Sequence, residues 1–422
     1  MNRYESYQNS GIDWVGEIPS HWEIIKPKHK LKRVTRPVDN EDDVVTCFRD
    51  GVVTLRKNRR EDGFTNSIKE HGYQQIRPGD LVVHEMDGFE GAIGISDSKG
   101  KSTPVYTVIE PDHRVDLLYV AYLLREMSES GKVESLARSI RERTTDFRWN
   151  MWSVIHFPFP PIEEQKLISQ YLEKKTKQID KLTNKIQKKI ELLKEQQTSF
   201  INQCTTKGLD QNVEMKDSGV EWIGLIPKHW SLRKLNHFYT YKKGSMGQKL
   251  TSSYLEENSG EYPVYSGQTS NNGILGTWSD YEFDFNTEVI FCTTVGARLM
   301  TTQVLSGKFS LSQNCLIMIP KDISILSKYI NYFLLYDFRI RRELLPSILQ
   351  PSLRMEDLDQ YQILIPPVEE QIKIVDLVSQ HMILSENVIS KLMTKILLLK
   401  EYRKSLISYV VTGKVRVTKD MI

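Results

Sequence analysis

The chain has 422 residues, 39% apolar and 26% charged, more than one hydrophobic core usually holds, so two or more globular domains are expected. No run of 18 or more apolar residues suggests a membrane span, and the N-terminal MNRYESYQNSG lacks the layout of a signal peptide, which predicts residence in the cytoplasm. Lys and Arg (57) barely exceed Asp and Glu (54), and Cys47, Cys204, Cys292 and Cys315 have neither metal-ligand spacing nor the pattern of a disulfide framework.

Along the chain, SGIDWVGEIPSHW opens at Ser10 and is followed by a basic cluster at Lys26, Lys28, Lys30, Lys32 and Arg33. A polar loop, RKNRREDGFTN, covers 56–66. DLVVH and TPVYTVIE read as short strands bounded by Gly, Pro and Asp, and VDLLYVAYLLREM has helical periodicity. Between the strands, GFEGAIG at 88–94 spaces its glycines as G-x-x-G-x-x-G, which is not the dinucleotide pattern. Arg138, Arg141 and Arg143 form another basic cluster, Arg148 follows, and PPIEEQKLI from Pro160 leads into a long Lys-, Glu- and Gln-rich segment.

The order then repeats. SGVEWIGLIPKHW from Ser218 matches the opening motif at eight of thirteen positions, and PPVEEQIKI from Pro366 matches the second. Between them, EVIFCTT and CLIMIP read as strands, ILSKYINYFLLYDFRIRRELL as a helix carrying the basic group Arg339, Arg341 and Arg342, and YSGQTSNNGILG and TTVGARLM as polar loops. Tyr119 and Tyr122 align with Tyr329 and Tyr332, and Arg148 with Arg354. Trp14, Trp22, Trp222 and Trp230 recur identically, which suits core anchors better than readers that must differ between halves.

After each PP-x-E-E-Q, apolar residues recur at helical spacing: Leu182, Ile186, Ile190, Leu193, Phe200 and Cys204, then Val388, Leu392, Ile396, Leu399, Leu406 and Val410, each 206 residues later. Proline and glutamates at the entry suit a helix N-terminus, and Gly208 and Gly413 suit the stops. A helix over 163–206 would be roughly 65 Å long at ~1.5 Å per residue. That exceeds what one domain can cover, so the two stripes are expected to pair as a spacer.

The doubled SG-x-x-W-x-G-x-IP-x-HW opening and the doubled PP-x-E-E-Q entry resemble the specificity subunits of type I restriction-modification systems over essentially the whole chain. The resemblance implies an α+β architecture. Two mixed α/β target-recognition domains would be joined by two long antiparallel helices forming a coiled coil with pseudo-twofold symmetry. The corresponding boundaries are 1–158, 159–212, 213–364 and 365–422.

It further implies a non-catalytic subunit that reads a bipartite target in double-stranded DNA. Two modification subunits carrying S-adenosylmethionine and two restriction subunits using ATP and Mg would dock on it, and no cofactor is expected in this chain. Two major-groove readers on one face of a duplex lie ~34–36 Å apart or a multiple of that. No GK[ST] loop, HExxH spacing or Asn-Pro-Pro-aromatic segment contradicts a binding role.

Reading sequence requires Lys or Arg on phosphates and Arg, Asn or Gln on base edges. The candidates are Arg56, Lys57, Arg59, Arg60, Glu85 and Asp87 in the first half, and Lys242, Lys243, Gln268, Asn271, Asn272 and Arg298 in the second. Arg148 and Arg354 could hold phosphate or an ion pair at the helix entry. Rival readings are a self-sufficient DNA methyltransferase or nuclease, and a coiled-coil scaffold with no role on DNA.

Overall fold

The computed structural model describes residues 2–39, 41–59, 71–131, 147–221, 223–268, 271–296, 298–322, 324–344 and 352–422. Arg60, Trp222, Arg138, Arg141 and Arg143 lie outside these residues. The chain divides into two units, Met1–Ile186 with Thr394–Ile422, and Gln187–Met393. Both dividing lines fall inside long helices, so each unit owns a globular part and portions of two helices.

In the first unit the opening motif forms a hairpin, Tyr7–Asn9 with Glu17–Pro19. The strand after it, Glu23–Ile25, pairs with Phe157–Phe159 just ahead of the PP-x-E-E-Q entry. Between these ends lies an antiparallel sheet of β1 (Arg33–Val34), β4 (Leu81–His84), β5 (Ile93–Ile95) and β6 (Tyr106–Ile109), ordered β1-β6-β4-β5. A hairpin of β2 (Val45–Cys47) and β3 (Val53–Leu55) lies on it, and helix α1 (Leu117–Glu129) covers one face. The alternating apolar residues of β4 feed two cores: Leu81 and Val83 face α1, whereas Val82 joins Val45, Val53 and Val108.

The second unit repeats the frame. Met215–Asp217 pairs with Leu225–Pro227, and Ser231–Lys234 pairs with Gln362–Ile365. Its sheet has six strands: β7 (Tyr239–Lys243), β8 (Tyr262–Tyr265), β9 (Ile274–Trp278), β10 (Phe283–Thr293), β11 (Thr302–Leu311) and β12 (Cys315–Pro320), ordered β7-β12-β10-β11-β8-β9. Here the equivalent of α1 is α3 (Ser327–Leu344).

The tails are continuous helices, α2 (Ile162–Lys207) and α4 (Val368–Val411). Each PP-x-E-E-Q motif clasps the opening motif of its own unit. Glu164 accepts hydrogen bonds from Trp22 Nε1 (3.1 Å) and the Tyr4 hydroxyl, and its other oxygen meets His21 Nε2 at 2.9 Å. Glu370 accepts from Trp230 Nε1 (2.9 Å) and meets His229 Nε2 at 2.5 Å. The next residue repeats as well. Gln165 accepts from Asp116 N and donates to Pro160 O, while Gln371 accepts from Leu326 N and donates to Pro366 O.

Each clasp also receives the far end of the other helix. In the first unit the Tyr119 hydroxyl donates to Val411 O (3.2 Å), and Gly413, at φ +74°, lies where a Cβ would strike Pro19. In the second unit the Tyr329 hydroxyl donates to Thr205 O (3.2 Å), and Gly208, at φ +76°, packs beside Trp230. Glycine stops these helices because the turn is left-handed and the tryptophan leaves no room for a side chain. Within each unit, the start of one helix therefore lies beside the end of the other, and the two run antiparallel.

The apolar stripes need one correction in each helix. Ile186, Ile190 and Leu406 are buried, and Leu193, Phe200, Leu392, Ile396 and Leu399 partly so, but Leu182 is 39% exposed and Val388 43%. Leu182, Ile186 and Ile190 are two successive steps of four, and each rotates ~40° beyond a full turn, so Leu182 leaves the seam. Alternating steps of three and four place Thr183 there instead, and Ile389 at the matching position of α4. Ile186→Ala should lower stability by about 2–4 kcal/mol in chemical denaturation, and Leu182→Ala by less than ~1 kcal/mol. Equal losses would mean that the seam is assigned to the wrong residues.

Candidate nucleic-acid interface

In the second unit, the polar loops singled out above converge at one edge of the sheet. Asn271 and Asn272 are exposed and left-handed (φ 51° and 52°), a conformation that asparagine tolerates best after glycine. A Cβ on Gly267 would sit 3.6 Å from the Thr293 methyl, and one on Gly273 at 3.6 Å from Gln303 Nε2. This puts Gly267 and Gly273 against the β10–β11 hairpin that carries Arg298. Arg298 is exposed, and its carbonyl is held by the Thr293 hydroxyl.

Lys243 joins the same edge, because it pairs with Leu316, next to Cys315, which pairs with Thr293. Lys242 and Lys243 are exposed, and Lys242 Nζ lies 5.3 Å from the centre of the Phe283 ring. Neither lysine forms an ion pair with a described residue. Gln268 turns inward, with its amide donating to Ile274 O. It shapes the loop in this state rather than presenting a free amide.

The first unit assembles its candidates around two turns, 48–52 and 85–91. Gly91 packs on Arg49 O and Gly94 on Gly51 O, so the turns are in contact. Arg59 makes a two-pronged pair with Asp50 (2.9 and 2.7 Å) and lies 4.6 Å over Phe48. Lys57 pairs with Asp43 at 2.5 Å, and Arg56 Nε donates to Thr46 Oγ1 at 3.2 Å. Asp87 and Glu90 both pair with Arg49, a residue that sequence reasoning missed because it stands alone between Phe48 and Asp50. This edge is rich in cations but largely self-neutralised. Burial holds His84 below the ordinary imidazole range, and its Nδ1 accepts from Asp87 N (2.9 Å).

Glu85 does not belong in this set. It is 8% exposed, accepts from Thr107 Oγ1 at 2.8 Å, and lies 3.8 Å from Arg148 Nε, so its carboxylate supports the loop from beneath instead of facing a base.

Arg148 and Arg354 occupy matching places. Each precedes a short helix, Trp149–Trp152 or Met355–Asp359, and the residue before each bonds to a loop carbonyl: Phe147 N to Glu85 O at 2.9 Å, and Leu353 N to Thr294 O at 2.8 Å. Arg342, reaching from α3, donates to Thr301 Oγ1 (3.2 Å) at the base of the second hairpin. Trp22 and Trp230 are fully enclosed, as expected of anchors. Among the described residues no group of three or more metal-binding side chains occurs, and no described helix is long and apolar enough to cross a membrane.

Residues 227–394 match the family model for the type I restriction modification DNA specificity domain. The chain is 22% identical to the MjaX specificity subunit of Methanocaldococcus jannaschii, with 96% of each chain covered. It is 33% identical over 133 residues to S.MpnORF285P of Mycoplasma pneumoniae, named as a type I specificity subunit, of which it spans 42% of the length.

Its fold is similar to a chain solved in work on complex assembly and conformational transition of the type I R-M system. The TM-score is 0.67 at 14% identity, covering 94% of this chain and 99% of that one. It is also similar to the HsdS subunit of Thermoanaerobacter tengcongensis, at a TM-score of 0.50, 15% identity, and coverage of 94% and 98%. With two α+β units built on one plan, each closing on both long helices, the chain is similar in fold to an HsdS subunit over nearly its whole length, and within it residues 227–394 match the type I DNA specificity domain.

Proposed function

We propose that this chain reads a bipartite target in double-stranded DNA, one half-site per unit, and leaves methylation and cleavage to partner subunits. The observation that carries this reading is the repetition of one plan: each unit clasps both long helices and places polar, cationic turns at the edge of its sheet. Lys57, Arg59, Lys242, Lys243, Arg148 and Arg354 approach phosphates, while Asn271, Asn272, Arg298 and Asp87 are the base-edge candidates, with Arg56 and Gln268 supporting their turns. Helices α2 and α4, each running from one unit into the other, set the unread gap.

Globular domains at 1–158 and 213–364, with spacer regions 159–212 and 365–422, are the functional division. Two modification subunits, holding S-adenosylmethionine, and two restriction subunits, using ATP and Mg, complete the assembly in the cytoplasm. The chain itself holds no cofactor.

Mapping methylated adenines in a genome that expresses this chain with its modification partner should return one bipartite motif with a fixed gap. Replacing Asn271 and Asn272 by alanine should relax only the half read by the second unit. Methylation without a split motif, or relaxation of both halves together, would overturn the reading.

A further inference from the structure

Helix α1 carries one cation that the first unit leaves unsatisfied. The Arg125 guanidinium runs under the two turns of the candidate interface. A Cβ on Gly51 would lie 2.1 Å from its Nη1, and one on Gly91 3.9 Å from its Nε. No described residue hydrogen-bonds or ion-pairs with it. The charged or titratable groups around it are Asp50 in the turn, Tyr122 and Glu129 on its own helix, and Arg403 on α4.

Asp50 is the nearest acid in the turns and is already held by both prongs of Arg59. Arg403 adds repulsion and is itself paired with Asp180 at 3.3 Å. Burial therefore works against the Arg125 charge, and the nearby carboxylates offset it only in part, since Asp50 is held by Arg59 and Glu129 is paired with Lys404 at 3.4 Å.

A partly buried guanidinium without an anion costs folding stability, and a fold keeps such a group when something outside the chain completes it. Here the missing partner is an anion at the meeting of the 48–52 and 85–91 turns, where Gly51 packs directly on the guanidinium and Arg125 remains only part-buried. We infer that Arg125 is a further DNA-contacting residue of the first recognition unit, and that it takes a backbone phosphate of the first half-site between the two turns. This rests on the DNA-reading function proposed above. The planar fork of arginine suits a phosphate better than lysine would. When Arg59 swings toward DNA, Arg125 is also the cation left to neutralise Asp50, so the turn does not repel the backbone.

The test uses the full chain assembled with its modification subunits, titrated with the duplex carrying the mapped methylation motif at several salt concentrations. Arg125→Met should weaken binding about tenfold and lower the slope of log affinity against log salt by about 0.9, the contribution of one phosphate contact. It should leave the thermal midpoint unchanged or raise it. Arg125→Lys should restore most of the slope. In phosphate ethylation interference, one position of the first half-site should matter for the wild type and cease to matter for Arg125→Met.

A lowered midpoint with an unaltered slope would assign Arg125 to packing and overturn the inference while DNA reading stands. If the wild-type assembly itself failed to distinguish the motif duplex from a scrambled one, the failure would be that of the reading beneath it.

Discussion

Replacing Glu164 by alanine is expected to lower the stability of the first unit by about 3 kcal/mol, whereas Glu163→Ala changes it by less than ~0.5 kcal/mol. The two carboxylates are neighbours in sequence and differ only in direction. Glu164 is 16% exposed and receives the Trp22 indole, the Tyr4 hydroxyl and His21. Glu163 is 79% exposed and pairs with Lys166 across one helical turn.

A bond to a charged acceptor contributes about 1.5–3 kcal/mol, and deleting the acceptor leaves the enclosed Trp22 N–H without a partner. Burial and the adjacent carboxylate hold the Tyr4 phenol well above its ordinary range, so it remains a donor throughout the accessible pH range. The second clasp has no counterpart of Tyr4, and Glu370 is 36% exposed, so Glu370→Ala should cost less than Glu164→Ala. Urea denaturation of the three variants measures this order. Indistinguishable losses for Glu163 and Glu164 would show that the clasp does not tie helix to domain.

The duplication made much of this fold legible. A motif that returns at a constant offset must make the same contacts twice, and the helix bounds, the glycine stops and the alternating strands all follow from local periodicity. What escaped was the reason for the motifs. Trp22 and Glu164 are 142 residues apart, and no local pattern says that an indole N–H will choose the second glutamate of a pair over the first.

The seam failed at one step for a related reason. Leu182 is apolar and four residues from Ile186, and only the drift of successive four-residue steps excludes it, a three-dimensional fact at the level of a single turn. Glu85 was misread because its neighbours are polar and its partner, Thr107, comes from another strand. Arg125 was invisible because it lies in the last turns of a largely apolar helix, beside Glu126 and Glu129, with nothing in the sequence to mark its target.

The two reading edges are expected to respond differently to charge reversal, and the second should respond far more. The double variant Lys242→Glu with Lys243→Glu should weaken binding to the motif duplex by roughly a hundredfold or more at physiological salt. Each lost phosphate contact takes about 0.9 from the salt slope, so the slope should fall by about 2. Attraction replaced by repulsion at each site is worth about 1–2 kcal/mol when screened by water, and tenfold in affinity is about 1.4 kcal/mol.

The corresponding reversal of Lys57 and Arg59 should do much less, about tenfold, because those cations already hold Asp43 and Asp50. DNA must break those pairs before it gains the contacts, so each of these cations contributes less to binding in the wild type than an unpaired lysine does. Affinity measured against salt for both double variants in the assembled complex decides the matter. Equal changes in slope would mean that the ion pairs of the first edge are already open in solution, and that its turns present bare cations just as the second edge does.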